Sequence, residues 1–214
     1  MRKSNIYICG VGGQGTMTLG LLLKQAGVLE NMMVTGTESR GASQREGSVD
    51  SHVRFAVLDP GEEFDERKSI HSPLIPTRQA DLYLSMELAE TLRNIKYVSE
   101  DGVIIMNRYE IWPPGVRTGE SQYPTLEQIL ENLKKFNTNV YVVNANKLSE
   151  EKYGDYSGVN MIFLGVAMAT GKIPVKIKTI EKIISEQMRN PEKSLEQFRL
   201  GLEEGKKILA AGPA

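Results

Sequence analysis

Apolar residues fall in short blocks along this chain, and the blocks alternate between two rhythms. Residues 4–10, with the short apolar run Ile6-Tyr7-Ile8-Cys9, read as a strand buried on both faces. Across residues 14–30 the apolar positions Met17, Leu21, Leu22 and Val28 recur at spacings near three and four and predict a helix. Residues 32–35 predict a short second strand, and residues 36–48 a polar loop punctuated by glycine. Residues 49–58 then alternate (Val49, Ser51, Val53, Phe55, Val57), which predicts a strand with two unlike faces, closed by the turn signal Asp59-Pro60-Gly61.

Residues 62–79 are charged and proline-marked, a surface excursion. Leu82, Leu84 and Met86 begin another strand, followed by a helix over 87–95, a buried strand over 103–106, a helix over 126–136 and a strand over 140–143. Residues 109–124 carry Trp112-Pro113-Pro114-Gly115, and two adjacent prolines rule out regular structure there. An apolar helix over 158–170 stops at Gly171 and Pro174; helices over 178–189 and 192–211 follow. Strands alternating with helices imply an α/β fold, Rossmann-like, with a mainly parallel sheet and helices on both faces. The pattern around residues 36–58 departs from plain double winding and points to a hairpin or an antiparallel edge strand. All 214 residues read as one domain, with the helices of residues 176–211 appended.

Composition narrows the function classes. With 40% hydrophobic and 25% charged residues and a formal net charge of −1, nothing argues for nucleic acid or an anionic membrane as partner. The longest apolar stretch, residues 159–169, is too short to span a bilayer, and Arg2 and Lys3 precede too few apolar residues for a secretory signal. The single cysteine, Cys9, excludes an internal disulfide and fits a reducing, cytoplasmic setting. One thiolate also cannot hold an iron–sulfur cluster, which takes about four.

The junction of the first strand and helix carries the main candidate chemistry, Gly10-Val11-Gly12-Gly13-Gln14-Gly15. Gly10, Gly12 and Gly15 have the dinucleotide-binding spacing; Thr16 stands where a triphosphate-binding loop needs lysine. Such a turn aims backbone N–H groups and the positive end of a helix at an anion. The same glycines also serve simply to let helix, strand or a partner's backbone approach closely, and both readings stay open. Glu38 is a doubtful ribose-binding acid, since it falls inside the predicted loop and not clearly at a strand end.

That loop should leave the carboxyl edge of the sheet beside the glycine turn, where Arg40, Gly41, Gln44 and Arg45 would recognise a ligand or a partner subunit, or be neutralised by Glu38 and Glu46 as a solvated loop. Asn160 opens the apolar helix as a cap or a ligand contact, with capping preferred. Cys9 reads as a small apolar filler, His52 as a strand residue without partners for a metal, and His71 as a loop residue. Trp112 and Tyr109 are either an exposed anchor for another protein or fold back. No nucleophile elbow and no carboxylate pair stands out, so no residue is assigned a catalytic role and none a metal.

Together, Gly10 to Gly15, Ser39-Arg40-Gly41, Gln44-Arg45-Glu46-Gly47-Ser48-Val49 and Ser51-His52-Val53-Arg54 resemble the gamma subunit or domain of 2-oxoacid:ferredoxin oxidoreductases. Ala80-Asp81-Leu82, residues 87–92, Val103 to Asn107, Asn160-Met161 and Leu164-Gly165 extend the resemblance over most of residues 4–175. The stretch from Gln44 to Val49 is closest in wording to the small subunit of indolepyruvate:ferredoxin oxidoreductases, although Glu46 stands where that pattern has a second glycine.

The resemblance implies oxidative decarboxylation of a 2-oxoacid to an acyl-coenzyme A with reduction of ferredoxin. Thiamine diphosphate and the iron–sulfur clusters would then sit on a catalytic partner subunit, and coenzyme A would be a co-substrate. This chain would hold no cofactor alone, although a homodimer is open to it in isolation. Consistent with that division, Gly154-Asp155-Tyr156 fails the thiamine-diphosphate pattern. The rival readings are a self-sufficient nicotinamide- or flavin-dependent oxidoreductase and a pure interaction module.

Overall fold

The computed structural model describes residues 1–41, 47–59, 61–63, 65–66 and 69–214. Among the described residues six strands form one sheet, in the order β2-β3-β1-β4-β5-β6. They are β1 (Arg2–Val11), β2 (Met33–Arg40), β3 (Ser48–Val57), β4 (Ala80–Ser85), β5 (Val98–Asn107) and β6 (Val140–Val143). β1, β4, β5 and β6 run parallel, while β3 is antiparallel to both β1 and β2. The sheet is therefore mainly parallel, with the β2–β3 hairpin on one side as the departure in patterning suggested.

Alternation along the central strands assigns the two faces. Ile6, Ile8, Leu82, Leu84 and Ile105 pack beneath α1 (Thr16–Leu29), α6 (Val159–Ala169), α7 (Ile177–Gln187) and α8 (Pro191–Ala211). Tyr7, Cys9, Tyr83, Ile104 and Met106 pack beneath α2 (Leu88–Arg93) and α4 (Leu126–Lys134). Among the described residues the other α-helices are α3 (Pro114–Arg117) and α5 (Ala145–Tyr153). The chain winds one way from β1 through α1 and the other way from β4 through α2. The crevice between the carboxyl ends of β1 and β4 is thus a topological switch point, where open α/β sheets bind ligands.

Two expectations need correction, and the two unlike faces expected of β3 are both buried. Residues 36–40 extend β2 instead of opening a loop, because pairing with β3 from Met33↔Ala56 to Arg40↔Val49 overrides a polar, glycine-containing sequence. β3 is buried on both faces: Val53 and Phe55 meet α1, while His52 and Arg54 are covered by the chain leading into β4. There Ile75 N donates to His52 Nδ1 (3.1 Å), and Arg54 Nη1 donates to the carbonyls of Ser72 (2.8 Å) and Leu74 (3.0 Å). Residues 109–124 are largely irregular but contain α3, a single turn that starts on Pro114, where a missing N–H costs nothing. Helix α5, between β6 and α6, had no counterpart in the periodicity.

Candidate functional site

The glycine turn closes by its own backbone and one side chain. Gly12 N donates to Gly47 O (2.9 Å), tying the turn to the start of β3, and Gln14 N donates to Val11 O (3.2 Å). Gln14 does not reach outward. Its Oε1 accepts from Val11 N (2.7 Å) and its Nε2 donates to Met86 O (2.9 Å), so the side chain braces β1 against β4 across the switch point. Gly10 is a packing residue: a Cβ there would lie 2.7 Å from Gln14 Oε1 and 2.9 Å from Met86 Cβ. Gly13 and Gly15 take positive φ (99° and 85°), a conformation that favours glycine.

Gly15 starts α1 in that left-handed conformation, with no side chain capping the first turn. The amides of Thr16, Met17 and Thr18 have no acceptor within the helix and sit at its positive end. Arg40, the last residue of β2, lies over this turn with Nε 3.0 Å from Met17 Sδ. A cleft of about 710 Å³ runs between them, lined among the described residues by Val11 to Gly13, Gly15 to Thr18, Arg40, Gly41 and Val49. Arg40 and Gly41 are thus brought to the turn as expected. Gln44 and Arg45 lie outside the described residues.

On its other side the turn borders a second cleft of about 460 Å³. Its walls are Tyr109 and Ile111 on one side and Tyr156 to Asn160 on the other, with Met86 and Asn146 between. Here too a helix begins without a side-chain cap: Gly158 opens α6 at φ 77°. Asn160 is therefore not the cap. It stands two residues further in and turns its amide back over Gly15, where a Cβ would be 2.5 Å from its Nδ2. Two uncapped helix starts, α1 and α6, flank one turn, and Asn160 fills the space between them.

Each wall is held from behind. Glu87 is 1% exposed, and the described groups that bond to it are neutral donors. Its Oε2 accepts from Glu90 N (2.9 Å), capping α2, and its Oε1 accepts from Ile111 N (3.0 Å) and from the Tyr123 hydroxyl. Burial pushes its pKa above the usual carboxylate range, against these three donors. Asn107, at the end of β5, donates from Nδ2 to Met86 O (3.2 Å) and Asn146 Oδ1 (2.8 Å), and accepts from Ala145 N (3.0 Å). Sequence reasoning passed over Glu87, Asn107 and Asn146. For Asn107 the signal available was a polar residue ending an apolar strand at the carboxyl edge.

The remaining candidates lie elsewhere. Cys9 is fully buried among Tyr83, Ser85 and Glu90, and burial pushes its thiol up to about 12, which suits a filler and not a nucleophile. His52 is buried edge-on to Tyr7 and Tyr97. Trp112 is 52% exposed, with Nε1 donating to Glu110 (3.1 Å). His71 is exposed outside regular structure. Among the described residues no group of three His, Cys, Asp or Glu side chains is placed to hold a metal. No described helix is long and apolar enough to cross a membrane. Among the described residues the titratable side chains lining the two clefts are Arg40, Tyr109 and Tyr156. This arrangement can bind an anion or a polar segment, and it supplies no carboxylate–histidine or thiol–histidine pair for proton or acyl transfer.

Residues 5–204 match the family model described as pyruvate ferredoxin/flavodoxin oxidoreductase. The chain is 32% identical to indolepyruvate oxidoreductase subunit IorB of Archaeoglobus fulgidus over 188 residues, 88% of this chain and 87% of that one. Among solved structures it superposes on pyruvate oxidoreductase subunit PORC of Thermotoga maritima with a TM-score of 0.65 at 17% identity, covering 97% of both chains. A 2-oxoglutarate:ferredoxin oxidoreductase from Magnetococcus marinus, solved with 2-oxoglutarate, coenzyme A and succinyl-CoA bound, gives a TM-score of 0.68 at 14% identity. There 99% of this chain matches 32% of a longer one.

Proposed function

Because the chain belongs to the pyruvate ferredoxin/flavodoxin oxidoreductase family, we propose that it is the small, non-redox subunit of a 2-oxoacid:ferredoxin oxidoreductase, with indolepyruvate or another aryl pyruvate as substrate. In this reading a catalytic partner subunit carries thiamine diphosphate and the iron–sulfur clusters. The complex converts a 2-oxoacid, coenzyme A and oxidised ferredoxin to an acyl-coenzyme A, carbon dioxide and reduced ferredoxin. This chain docks with the carboxyl edge of its sheet facing the active-site channel, where it closes the channel and holds the phosphates of coenzyme A.

One observation carries the reading. The glycine turn, flanked by two uncapped helix starts and Arg40, offers backbone N–H groups and one guanidinium, while the two clefts lack a proton-transfer pair among their lining residues. Such a site contributes binding energy and exclusion of water to chemistry performed elsewhere. A self-sufficient dinucleotide enzyme is disfavoured: Glu38, the nearest ribose-binding acid, is ion-paired with Lys24, and Gly12 N is spent on Gly47.

Co-expression with a large thiamine-diphosphate subunit tests the assignment. The two chains should co-purify and reduce an acceptor dye with an aryl pyruvate and coenzyme A. Failure to co-purify, or turnover by this chain alone, overturns it. Within the active complex, Arg40→Ala should raise the KM for coenzyme A by roughly tenfold, the scale of one charge-assisted hydrogen bond of about 1.5 kcal/mol.

A further inference from the structure

Helix α8 contributes no lining residue to the second cleft, yet its first turns contact the segment that forms one wall of it. Its course is fixed by direct backbone contact with α6. A Cβ on Gly201 would lie 1.9 Å from Ile162 O, one on Gly165 2.1 Å from Phe198 O, and one on Gly205 2.9 Å from Val166 Cα. Both helices advance by four residues between the contacts Ile162–Gly201 and Val166–Gly205, so they run parallel and in register. Backbone packed on backbone cannot slide, because any shift drives a carbonyl into an α-carbon.

One turn before Gly201 on the same face stands Gln197, and one turn before that Lys193. Register therefore delivers Gln197 to Gly158, the start of α6. Its side chain is 1% exposed. Nε2 donates to Ser157 O (2.5 Å), and Oε1 occupies the space over Gly158, only 1.9 Å from where a Cβ would be. Lys193 Nζ continues the row, reaching Asp155 Oδ2 (2.8 Å) and Ser157 Oγ (2.9 Å). Residues 155–158 are the segment that carries Tyr156 and the start of α6 into the cleft.

We infer that Gln197 is a positioning residue of the second cleft: from the C-terminal helix it sets the height of the α6 start, and through Asn160 the fit of that start against the glycine turn. This rests on the reading above for what the cleft holds. A long apolar contact would stabilise α8 without any of these polar partners. The buried amide and the row leading to it mark a contact specified by direction as well as by volume.

The test separates direction from volume with Gln197→Met, which keeps size and loses the donor. In the complex with its catalytic partner, the KM for coenzyme A should rise about fivefold, the loss of one neutral hydrogen bond, while kcat and the KM for the 2-oxoacid hold. Amide exchange at Met161 and Ile162, both bonded to Gly158 O, should quicken while exchange at Ile6 and Ile8 in β1 does not. Asn160→Ala serves as the control for the cleft itself. If Asn160→Ala raises the KM for coenzyme A and Gln197→Met leaves both that KM and the exchange unchanged, the positioning role is wrong and the functional reading stands. If neither variant changes the KM, the reading of the cleft fails and takes this inference with it.

Discussion

Replacing Gly15 with alanine separates two costs that the glycine turn combines. The first is conformational: at φ 85° a non-glycine residue is strained by about 1–2 kcal/mol. The second is steric, since the new Cβ would lie 2.5 Å from Asn160 Nδ2, 3.0 Å from its Cγ and 3.1 Å from its Cβ. The whole Asn160 side chain must retreat, and overpacking of this kind costs about 1–3 kcal/mol. Gly13→Ala is the internal control, because φ is 99° there but nothing stands within 4 Å of the new atom. At about 2–4 °C per kcal/mol for a chain of this size, Gly15→Ala should lower Tm by roughly 10 °C and Gly13→Ala by about half as much. Thermal unfolding of the full chain measures both. In the double variant Gly15→Ala/Asn160→Ala the contacts with Nδ2 and Cγ are gone and only the 3.1 Å approach to Cβ remains, so the two substitutions should be non-additive by about 1–2 kcal/mol in the stabilising direction. Equal losses for Gly13→Ala and Gly15→Ala, or strict additivity in the double variant, would refute the claim that Asn160 seats the turn.

Two further perturbations probe what lies behind the site. Glu87→Ala removes the acceptor for Glu90 N, Ile111 N and the Tyr123 hydroxyl, and should cost about 3–5 kcal/mol in denaturant unfolding, against about 1–2 for Glu87→Gln, which keeps one oxygen; equal costs would count against a buried hydrogen-bonding role. His52 has its pKa lowered from 6.5 to about 4, chiefly by burial and then by Arg54 and Lys96. Between those values the unfolded chain binds a proton that the folded chain does not. Stability contributed by neutral His52 is therefore present above pH 6.5 and is lost as pH falls towards 4, by up to about 3 kcal/mol. The slope of unfolding free energy against pH in that window should fall by about one proton in His52→Gln, and identical slopes would show that the imidazole is not the group responsible.

Periodicity alone located most of the elements because burial on one face forces a repeat of two or near 3.6, and such repeats survive in the sequence. It placed β6 at residues 140–143 and the long helices within a few residues, and Pro113-Pro114 marked an irregular stretch. It missed α5, whose Ala145-Asn146-Lys147 start carries little apolar signal, and it cut β2 short. Residues 36–40 look like a loop because their strand character comes from pairing with β3, not from their own propensity. Cys9 as a buried filler and Arg40 beside the turn followed from local position. Asn160 did not: capping is a local rule, and Gly158 had already taken the cap.

The chain's own order of residues determined that glycines would end the first strand, that a helix would start there without a lysine, and that one thiol is too few to hold a cluster by itself. Those are consequences of local chemistry, readable one segment at a time. Only the folded molecule decided that Gln14 spends both ends of its amide bracing two strands, that Glu87 pins one wall of a cleft, and that Gln197 from the last helix supports the other. Each joins residues tens of positions apart through contacts set by sheet order and helix register, and no spacing along a single chain encodes which distant carbonyl a buried amide will meet.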